Sequence, residues 1–227
     1  MAWLNLFFTA KALSRKSSIV SLVLSNVFSI SFMEKIEICL ASNNAHKIVE
    51  LQQMLGVTFL LKTMKDIGCE DEIEEYGTTF EQNSRIKADY IHNKYGVNVV
   101  ADDSGLEVEA LDNRPGVYSA RYAGEPTNHQ ANIEKLLQEL DGKENRKAKF
   151  RTVITLILNG EHHLFEGEVS GKIIADKRGT DGFGYDPVFV PDGYETTYAE
   201  MPAEQKNQIS HRADAVNQML TFLKQKK

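Results

Sequence analysis

The patterned part of the chain begins with a short apolar run followed by apolar residues at helical spacing. The run 36–41 predicts a buried strand, because it is bounded by polar residues on both sides. The polar Ser42-Asn43-Asn44 then leads into a helix, predicted from one apolar face that is made by Ile48, Leu51, Met54 and Leu55. Gly56 is predicted to end this helix, and residues 57–61 predict a second strand.

The next part of the chain presents two acidic residues after another predicted strand. Residues 66–77 are acidic and rich in turn formers, and the apolar positions of 80–91 predict a helix that ends near Gly96. The apolar run 97–101 predicts a buried strand. The segment Asp102-Asp103-Ser104-Gly105-Leu106 follows directly, and we expect its acids at the strand end, beside a hydroxyl group and a flexible turn.

The second half of the chain has the pattern of an antiparallel section. A helix is predicted over 127–140 and a β-branched strand over 150–158. Asn159-Gly160 is a hairpin signal, after which 164–169 and 173–174 predict the return strands. A final helix is predicted from Ala203 or Gln208 to Leu223. Together, these elements predict an α/β fold in which a mixed sheet carries helices on its faces.

Composition and charge narrow the class of protein. The 227 residues are 42% hydrophobic and 26% charged, which excludes collagen, coiled coils and disorder. The net charge is −6 overall, and −9 outside residues 1–32, which hold three basic residues and no acidic one. An acidic surface repels nucleic acid polymers, so we expect only a small polyanionic substrate held by local lysines or arginines. Cys39 and Cys69 form no Cys-x-x-Cys pair, which predicts a reduced compartment and a cytoplasmic protein.

Residues 1–32 differ in character from the rest of the chain. Basic residues precede an apolar, Ser-rich stretch, an order that suits a secretory or anchoring segment, an organelle transit peptide, or an extension that the fold does not need. The apolar stretch is short and carries several serines, so we expect no membrane partner. Met33 directly precedes the first strand pattern. We therefore assign 1–32 to an extension and 33–227 to one domain.

The acidic pair is the first candidate for chemistry. Two adjacent carboxylates repel each other, and one is pushed toward protonation unless a cation neutralises them, so the pair predicts a divalent ion such as Mg²⁺. Glu75, on a predicted turn, is a further oxygen ligand for that ion. The alternative is that Asp-Asp-Ser-Gly is ordinary turn and capping chemistry on a protein surface.

Three further segments carry residue types that suit a phosphorylated ligand, although each also has an ordinary structural explanation. Residues 42–47 place a lysine in the first turn of a predicted helix, which favours phosphate binding or is simply a capped helix. The glycine-rich 179–187 offers the ring of Phe183 and the carboxylate of Asp186 to a base or sugar, or is a tight loop. Lys206 and 210–212 offer donors to a phosphate or a purine carbonyl, or form a charged helix face.

Six motifs, in this order, resemble the inosine triphosphate pyrophosphatase family, also called XTP/dITP diphosphatases. They are Ser-Asn-Asn-x-x-Lys at 42–47, Glu-Tyr-Gly-x-Thr-Phe-x-x-Asn at 75–83, Ala-Asp-Asp-Ser-Gly-Leu at 101–106, Arg-Pro-Gly-Val-Tyr-Ser-Ala-Arg-Tyr at 114–122, Gly-Phe-Gly-Tyr-Asp-Pro at 182–187 and Lys-x-x-x-x-His-Arg at 206–212. The resemblance covers nearly all of the chain after residue 32.

The resemblance implies the Mg²⁺-dependent hydrolysis of the purine nucleoside triphosphates ITP, dITP and XTP to monophosphate and pyrophosphate, which cleanses the nucleotide pool. It also implies an elongated mixed sheet with two lobes around a central cleft, and a homodimer. Asp103 matches the family's proton acceptor and Mg²⁺ ligand, and Glu75 matches a second metal ligand. The matched substrate-binding positions are Ser42, Asn43, Asn44, Ala45, His46, Lys47, Ser104, Phe183, Gly184, Tyr185, Asp186, Lys206, His211 and Arg212.

Other classes of protein also use acidic residues near a strand end. Phosphatases with an aspartyl nucleophile need Asp-x-Asp, whereas here the acids are adjacent and point to opposite sides if the strand continues. A receiver-type signalling domain combines acids, Mg²⁺ and a lysine, but it is one small domain without the predicted hairpin section. A nucleotide-binding domain without catalysis is the remaining alternative.

Overall fold

The structure is a computed structural model and describes residues 36–55 and 59–225. The extension 1–32, Met33 and the predicted helix end at Gly56 lie outside these residues. The strands of the described part are β1 Glu37–Leu40, β2 Leu60–Thr63, β3 Val99–Val108, β4 Arg114–Pro115, β5 Lys147–Leu158, β6 Glu161–Ile173 and β7 Phe189–Pro191. The helices are α1 Ala45–Leu55, α2 Phe80–Tyr95, α3 His129–Glu139, α4 Ala203–Ile209 and α5 His211–Gln225. Within this part of the chain, no helix is both long and apolar enough to cross a membrane.

The strands form one mixed sheet, as predicted. Its order is β2-β1-β3-β5-β6-β7, and the short β4 pairs with β3 at the side of this path. β1 runs parallel to both β2 and β3, whereas all other pairings are antiparallel. The α/β fold class is therefore confirmed, with alternating elements first and an antiparallel section second. The second strand spans 60–63 rather than the predicted 57–61, of which 57 and 58 lie outside the described residues.

The prediction that the central strand ends at the acidic pair is wrong. β3 continues through Asp102 and Asp103 to Val108, and each residue of this stretch pairs with β5. Gly105 is therefore no turn residue. A Cβ at this position would lie 2.3 Å from the carbonyl oxygen of Gly116 and 2.6 Å from Oγ of Ser119, so glycine is needed for close packing. Because side chains alternate along a strand, the two acids face opposite sides of the sheet.

The hairpin after β5 is confirmed, and its return strand is continuous. Asn159 and Gly160 have φ values of 51° and 83°, as a two-residue turn between twisted strands requires. The predicted pieces 164–169 and 173–174 belong largely to the single strand β6, which extends to Ile173. β5, which pairs with both acids of β3, is in turn paired with β6 along its whole length.

The predicted final helix is broken into α4 and α5 at Ser210. The φ and ψ of this residue are −76° and 157°, outside the helical region, and its Oγ accepts a hydrogen bond from the amide of Ala213 at 3.2 Å. The break places Lys206 on α4 and puts His211 and Arg212 in the first turn of α5. The two groups of basic residues therefore enter the site from different helices.

Candidate active site

One cavity collects almost all of the predicted site residues. It has a volume of about 290 Å³, near the lower end of the range of small-molecule sites. Its predicted members come from the β1–α1 turn, the 75–87 region, β3, the glycine-rich loop and the two last helices; they are Ser42, Asn43, Asn44, Lys47, Glu75, Asp103, Ser104, Phe183, Gly184, Tyr185, Asp186, Lys206, His211 and Arg212. Ala45 and His46 do not line it, although the His46 ring stacks on Phe183 at a centroid distance of 5.1 Å.

Asp102 faces one side of β3 and joins two cations there. Its Oδ2 lies 3.1 Å from Nζ of Lys47 and accepts hydrogen bonds from Nη2 of Arg212 at 3.0 Å and Oγ of Ser104 at 2.8 Å. Burial alone would raise the pKa of Asp102, but Lys47, Arg212 and Lys87 outweigh it and hold that pKa well below its usual range. The carboxylate is therefore charged and serves as the anchor of two basic side chains.

Asp103 faces the other side of β3, toward α2. Its Oδ2 accepts a hydrogen bond from Nδ2 of Asn83 at 3.0 Å, and its Oδ1 accepts one from the amide of Ser104 at 3.0 Å. Burial raises the pKa of Asp103, and the neighbouring Glu75 adds to this effect against the opposing charges of Lys87 and Lys47. The pKa values of the two adjacent acids are thus shifted in opposite directions. The pKa of Asp103 is the one that is raised, toward the neutral range in which a general base works best.

The donor set around Asp103 fits a divalent cation. Asp103 and Glu75 both line the cavity, and Lys87 lies 3.0 Å from Oε1 of Glu75 while also donating to the carbonyl oxygen of Asp102 at 2.8 Å. Among residues 36–55 and 59–225, no three His, Cys, Asp or Glu side chains cluster as a metal cage. Two carboxylates suit Mg²⁺, which usually binds one or two carboxylates and completes its coordination with phosphate oxygens and water.

The first turn of α1 is capped by the side chain of Asn44, so two of its backbone amides are already hydrogen-bonded. Oδ1 of Asn44 accepts hydrogen bonds from the amides of His46 at 3.0 Å and Lys47 at 3.3 Å. The amide of Asn44 donates to Oγ of Ser42 at 3.2 Å. The helix is thus capped, as one of the two alternatives expected, and Lys47 is paired with Asp102 rather than solvated; its contact with a phosphate stays a prediction.

The glycine-rich loop is held by Asp186 and carries Phe183 into the cavity. Oδ2 of Asp186 accepts hydrogen bonds from the amide of Phe183 at 2.8 Å and from Nζ of Lys206 at 2.7 Å. This buried carboxylate therefore supports the loop, and its contact with a base or sugar stays a prediction. Gly182 has a φ of 74°, and a Cβ there would lie 2.1 Å from Oδ2 of Asp186. The ammonium group of Lys206 also lies 4.8 Å from the Phe183 ring.

Glu50, on α1, links the two last helices to the first one. Its Oε1 accepts a hydrogen bond from Lys206 at 2.9 Å, and its Oε2 binds Nη1 of Arg212. Burial opposes the charged forms of both basic groups, but Asp186 and Glu50 raise the pKa of Lys206, and Asp102 and Glu50 raise that of Arg212. Both groups are thus cationic inside the protein, and each is held by two carboxylates.

His211 is a buried, neutral imidazole. Its ring stacks on Phe150 with a centroid distance of 4.9 Å and an interplanar angle of 11°. Burial lowers the pKa of His211 well below its usual value, and the charges of Arg212 and Lys206 lower it further. Nδ1 finds no hydrogen-bond partner among the described residues, although the side chain lines the cavity.

Sequence reasoning missed the roles of Asn83, Lys87 and Glu50. Asn83 and Lys87 lie four positions apart on α2 and therefore on the same face, which was a usable signal. Glu50 lies three positions after Lys47 on α1, also on the same face. Its partners Lys206 and Arg212 are more than 150 positions away, so only the fold brings them together.

Comparison with known proteins gives consistent matches along almost the whole domain. A model of the Ham1 family matches residues 38–222. A protein of Flavobacterium psychrophilum named dITP/XTP pyrophosphatase is 48% identical over 188 residues, which is 83% of this chain and 99% of that protein. A protein of Porphyromonas gingivalis with the same name is 50% identical over 192 residues, covering 84% of this chain and 98% of that protein.

Solved structures agree with the sequence matches. The structure of the Staphylococcus aureus Ham1 protein is similar with a TM-score of 0.78 and 42% identity, covering 84% of this chain and all of that chain. A HAM1 protein from Coxiella burnetii also gives a TM-score of 0.78, at 37% identity, with 84% of this chain and 99% of that chain covered.

Proposed function

The chain belongs to the Ham1 family, and from this premise we propose that it is a pyrophosphatase that hydrolyses dITP, XTP and ITP to the monophosphate and pyrophosphate. The observation that carries the proposal is the environment of Asp103, a buried acid in the wall of a cavity that also presents a second carboxylate and several cations. Relatives named dITP/XTP pyrophosphatase, which this chain matches over nearly their whole length, support the choice of substrates. Hydrolysis of such nucleotides would remove them before a polymerase incorporates them.

Asp103 is the proposed proton acceptor for the attacking water. Hydrolysis between the α and β phosphates needs a base within hydrogen-bond reach of that water, and a base works best when its pKa lies close to the operating pH. In the metal-free protein, the raised pKa of Asp103 favours this role. Asn83 and the Ser104 amide each hold one of its oxygens, so the carboxylate is fixed before the substrate binds.

Asp103 and Glu75 are the residues that would hold Mg²⁺. When bound, the ion neutralises phosphate charge and so makes pyrophosphate a better leaving group. Lys87 connects the two sides of this arrangement, because it binds Glu75 and the backbone of Asp102. Its charge also offsets the repulsion between Glu75 and Asp103 in the absence of substrate.

Selection among bases is proposed to depend on His211 and the ring of Phe183. Hypoxanthine and xanthine carry a carbonyl at position six, where adenine carries an amino group, so a donor in the pocket binds the first two and repels the third. The neutral imidazole of His211 is such a donor in one tautomer. Phe183 offers a stacking surface at the cavity wall. Guanine has the same carbonyl, so its amino group must be rejected by shape or by an unpaired polar contact.

We also propose a cytoplasmic location, which the cysteine content favours, and a homodimer, which the family resemblance implies. Both cysteines of the described residues are free and buried, which fits a reducing compartment. The proposed ligand is the nucleotide substrate, and we propose no nucleic acid or membrane partner. Size-exclusion chromatography with light scattering would measure the mass of the assembly, and a monomer at micromolar concentration would contradict the dimer.

A substrate panel tests the proposed function. Purified protein with Mg²⁺ should release pyrophosphate from dITP, XTP and ITP with a kcat/KM at least about 100-fold above that for dATP and dGTP. The Asp103→Asn variant should bind the same nucleotides without turnover. Orthophosphate as the first product, or equal rates with dATP, would overturn the proposal. Nucleotide binding by the unaltered protein without any release would instead favour the non-catalytic alternative.

A further inference from the structure

Most of the cations in the cavity wall are already neutralised by carboxylates. Lys47 is paired with Asp102, Lys87 with Glu75, and Lys206 with Asp186 at 2.7 Å. Arg212 is paired with Asp102 and Glu50. A triphosphate in this cavity therefore meets basic groups whose charge is largely compensated by carboxylates. It needs uncompensated cationic groups to offset the loss of its hydration.

Arg121 is the exception among the lining cations of the described residues. Its guanidinium makes no ion pair and no side-chain hydrogen bond within this part of the chain, and it lines the same cavity. The guanidinium lies over the face of the Tyr118 ring, 5.3 Å from the centroid. An aromatic face attracts a cation but does not neutralise it and leaves its N–H donors free in the guanidinium plane.

The backbone that carries Arg121 is held firmly by buried groups. The residue ends a 3₁₀ segment, Gly116–Arg121, in which Oγ of Ser119 donates to the Gly116 carbonyl at 2.6 Å and accepts from the Leu106 amide at 2.9 Å. The hydroxyl of Tyr185 donates to the carbonyl of Ser119 at 2.9 Å. The segment is therefore attached both to β3, just after Ser104, and to the glycine-rich loop.

A second buried side chain supports the next residue of the segment. Nδ2 of Asn132, on α3, donates to the carbonyl of Ala120 at 2.9 Å, and Oδ1 of Asn132 accepts from the amide of Ala123 at 2.7 Å. Arg121 lies between these two anchored positions. A group that is to bind a flexible polyanion with little loss of entropy needs such a rigid support.

We propose that Arg121 is a substrate-binding residue, whose guanidinium contacts the triphosphate chain of the nucleotide directly. This inference rests on the proposed function, because it names the residue that meets the substrate of that site with an uncompensated charge. Arginine suits this task, since its planar donors match two phosphate oxygens at once. The other lining cations are neutralised by their partner carboxylates, whereas Arg121 adds net attraction for the polyanion.

The experiment compares Arg121→Gln with Arg121→Lys and with the control Arg85→Gln. Arg85 is an exposed residue of α2 whose partner is Asp89, and it does not line the cavity. Steady-state kinetics with dITP would be combined with calorimetric binding of inorganic tripolyphosphate and with inhibition by deoxyinosine, which has no phosphate. Circular dichroism checks that each variant is folded, which we expect because the guanidinium makes no structural hydrogen bond within the described part.

Arg121→Gln should weaken tripolyphosphate binding and lower kcat/KM for dITP, each by about tenfold or more. Arg121→Lys should recover part of both losses. The control Arg85→Gln should change neither the binding nor the kcat/KM by more than about twofold. Inhibition by deoxyinosine should stay the same in all variants. An Arg121→Gln variant that behaves like the Arg85→Gln control overturns the inference, as does an equal loss of deoxyinosine inhibition or an unaltered protein that binds no tripolyphosphate. Failure of the proposed function is separate, because it shows as absent pyrophosphate release from dITP by the unaltered protein.

Discussion

Replacing each of the two adjacent acids by its amide should have very different consequences for stability. Asp102→Asn leaves Lys47 without its carboxylate and leaves Arg212 with Glu50 alone. Breaking a buried ion pair by removing one partner costs about 3–5 kcal/mol.

Asp103→Asn should cost much less stability. The raised pKa of Asp103 means that its ionised form is disfavoured by folding, so removal of the charge relieves a cost that partly offsets the lost hydrogen bonds. We expect a change in unfolding free energy within about 1 kcal/mol. Pyrophosphate release, in contrast, should be abolished by Asp103→Asn, because the proposed proton acceptor is gone.

The measurement is denaturant unfolding at pH 7 in a buffer with a chelator, so that no divalent ion compensates the charge of Asp103. For a domain of this size, the expected loss for Asp102→Asn corresponds to a decrease in Tm of roughly 6–20 °C. Equal stabilities of the two variants, or a larger loss for Asp103→Asn, would refute the assignment of Asp102 as the structural anchor and Asp103 as the destabilised functional acid.

Three other changes test separate parts of the site. Glu75→Gln should raise the Mg²⁺ concentration that gives the half-maximal rate by about tenfold or more. The control Glu74→Gln, which alters an exposed acid outside the cavity, should leave that concentration unchanged. The same Mg²⁺ dependence of the rate in both variants would exclude Glu75 as a ligand. Gly182→Ala places a Cβ 2.1 Å from the carboxylate of Asp186 and should lower kcat/KM at least about tenfold. Gly193→Ala, with a similar φ of 83° and open space around it, should lower only the stability of the protein. An active Gly182→Ala protein would contradict the role of this loop in the site. The pKa of His211 is lowered by folding, so the unfolded chain binds this proton at a higher pH and the wild-type protein loses stability below about pH 6.5. The difference in unfolding free energy between the wild type and His211→Asn, measured in urea, should therefore decrease by about 1 kcal/mol between about pH 7 and pH 5.5. A difference that stays constant over this range would refute the neutral imidazole.

The order and type of most elements could be predicted from the sequence, because their hydrophobic periods are strong. The hairpin at Asn159-Gly160 is an example in which local turn chemistry alone decides the structure. The length of β3 was misjudged, because Ser104 and Gly105 look like turn residues. The alternation that places Leu106 and Val108 in the core was the stronger signal, and both residues are fully buried.

The arrangement of charges in the site could not be predicted, because it depends on contacts that are distant in sequence. The motifs locate Asp103, Lys206 and Arg212, but they do not show which carboxylate neutralises which cation. The ion pair of Glu50 with Lys206 forms only when α1 packs near the last two helices. The free charge of Arg121 is likewise visible only after the partners of every other lining cation are known.

Hydrolysis of dITP in water enriched with ¹⁸O tests most directly the claim that this site activates water for attack on the α-phosphorus. Mass spectrometry of both products shows which phosphorus was attacked. The proposed reaction predicts that the label enters deoxyinosine monophosphate and that pyrophosphate remains unlabelled. Label in the pyrophosphate would show attack at the β-phosphorus and would contradict the account.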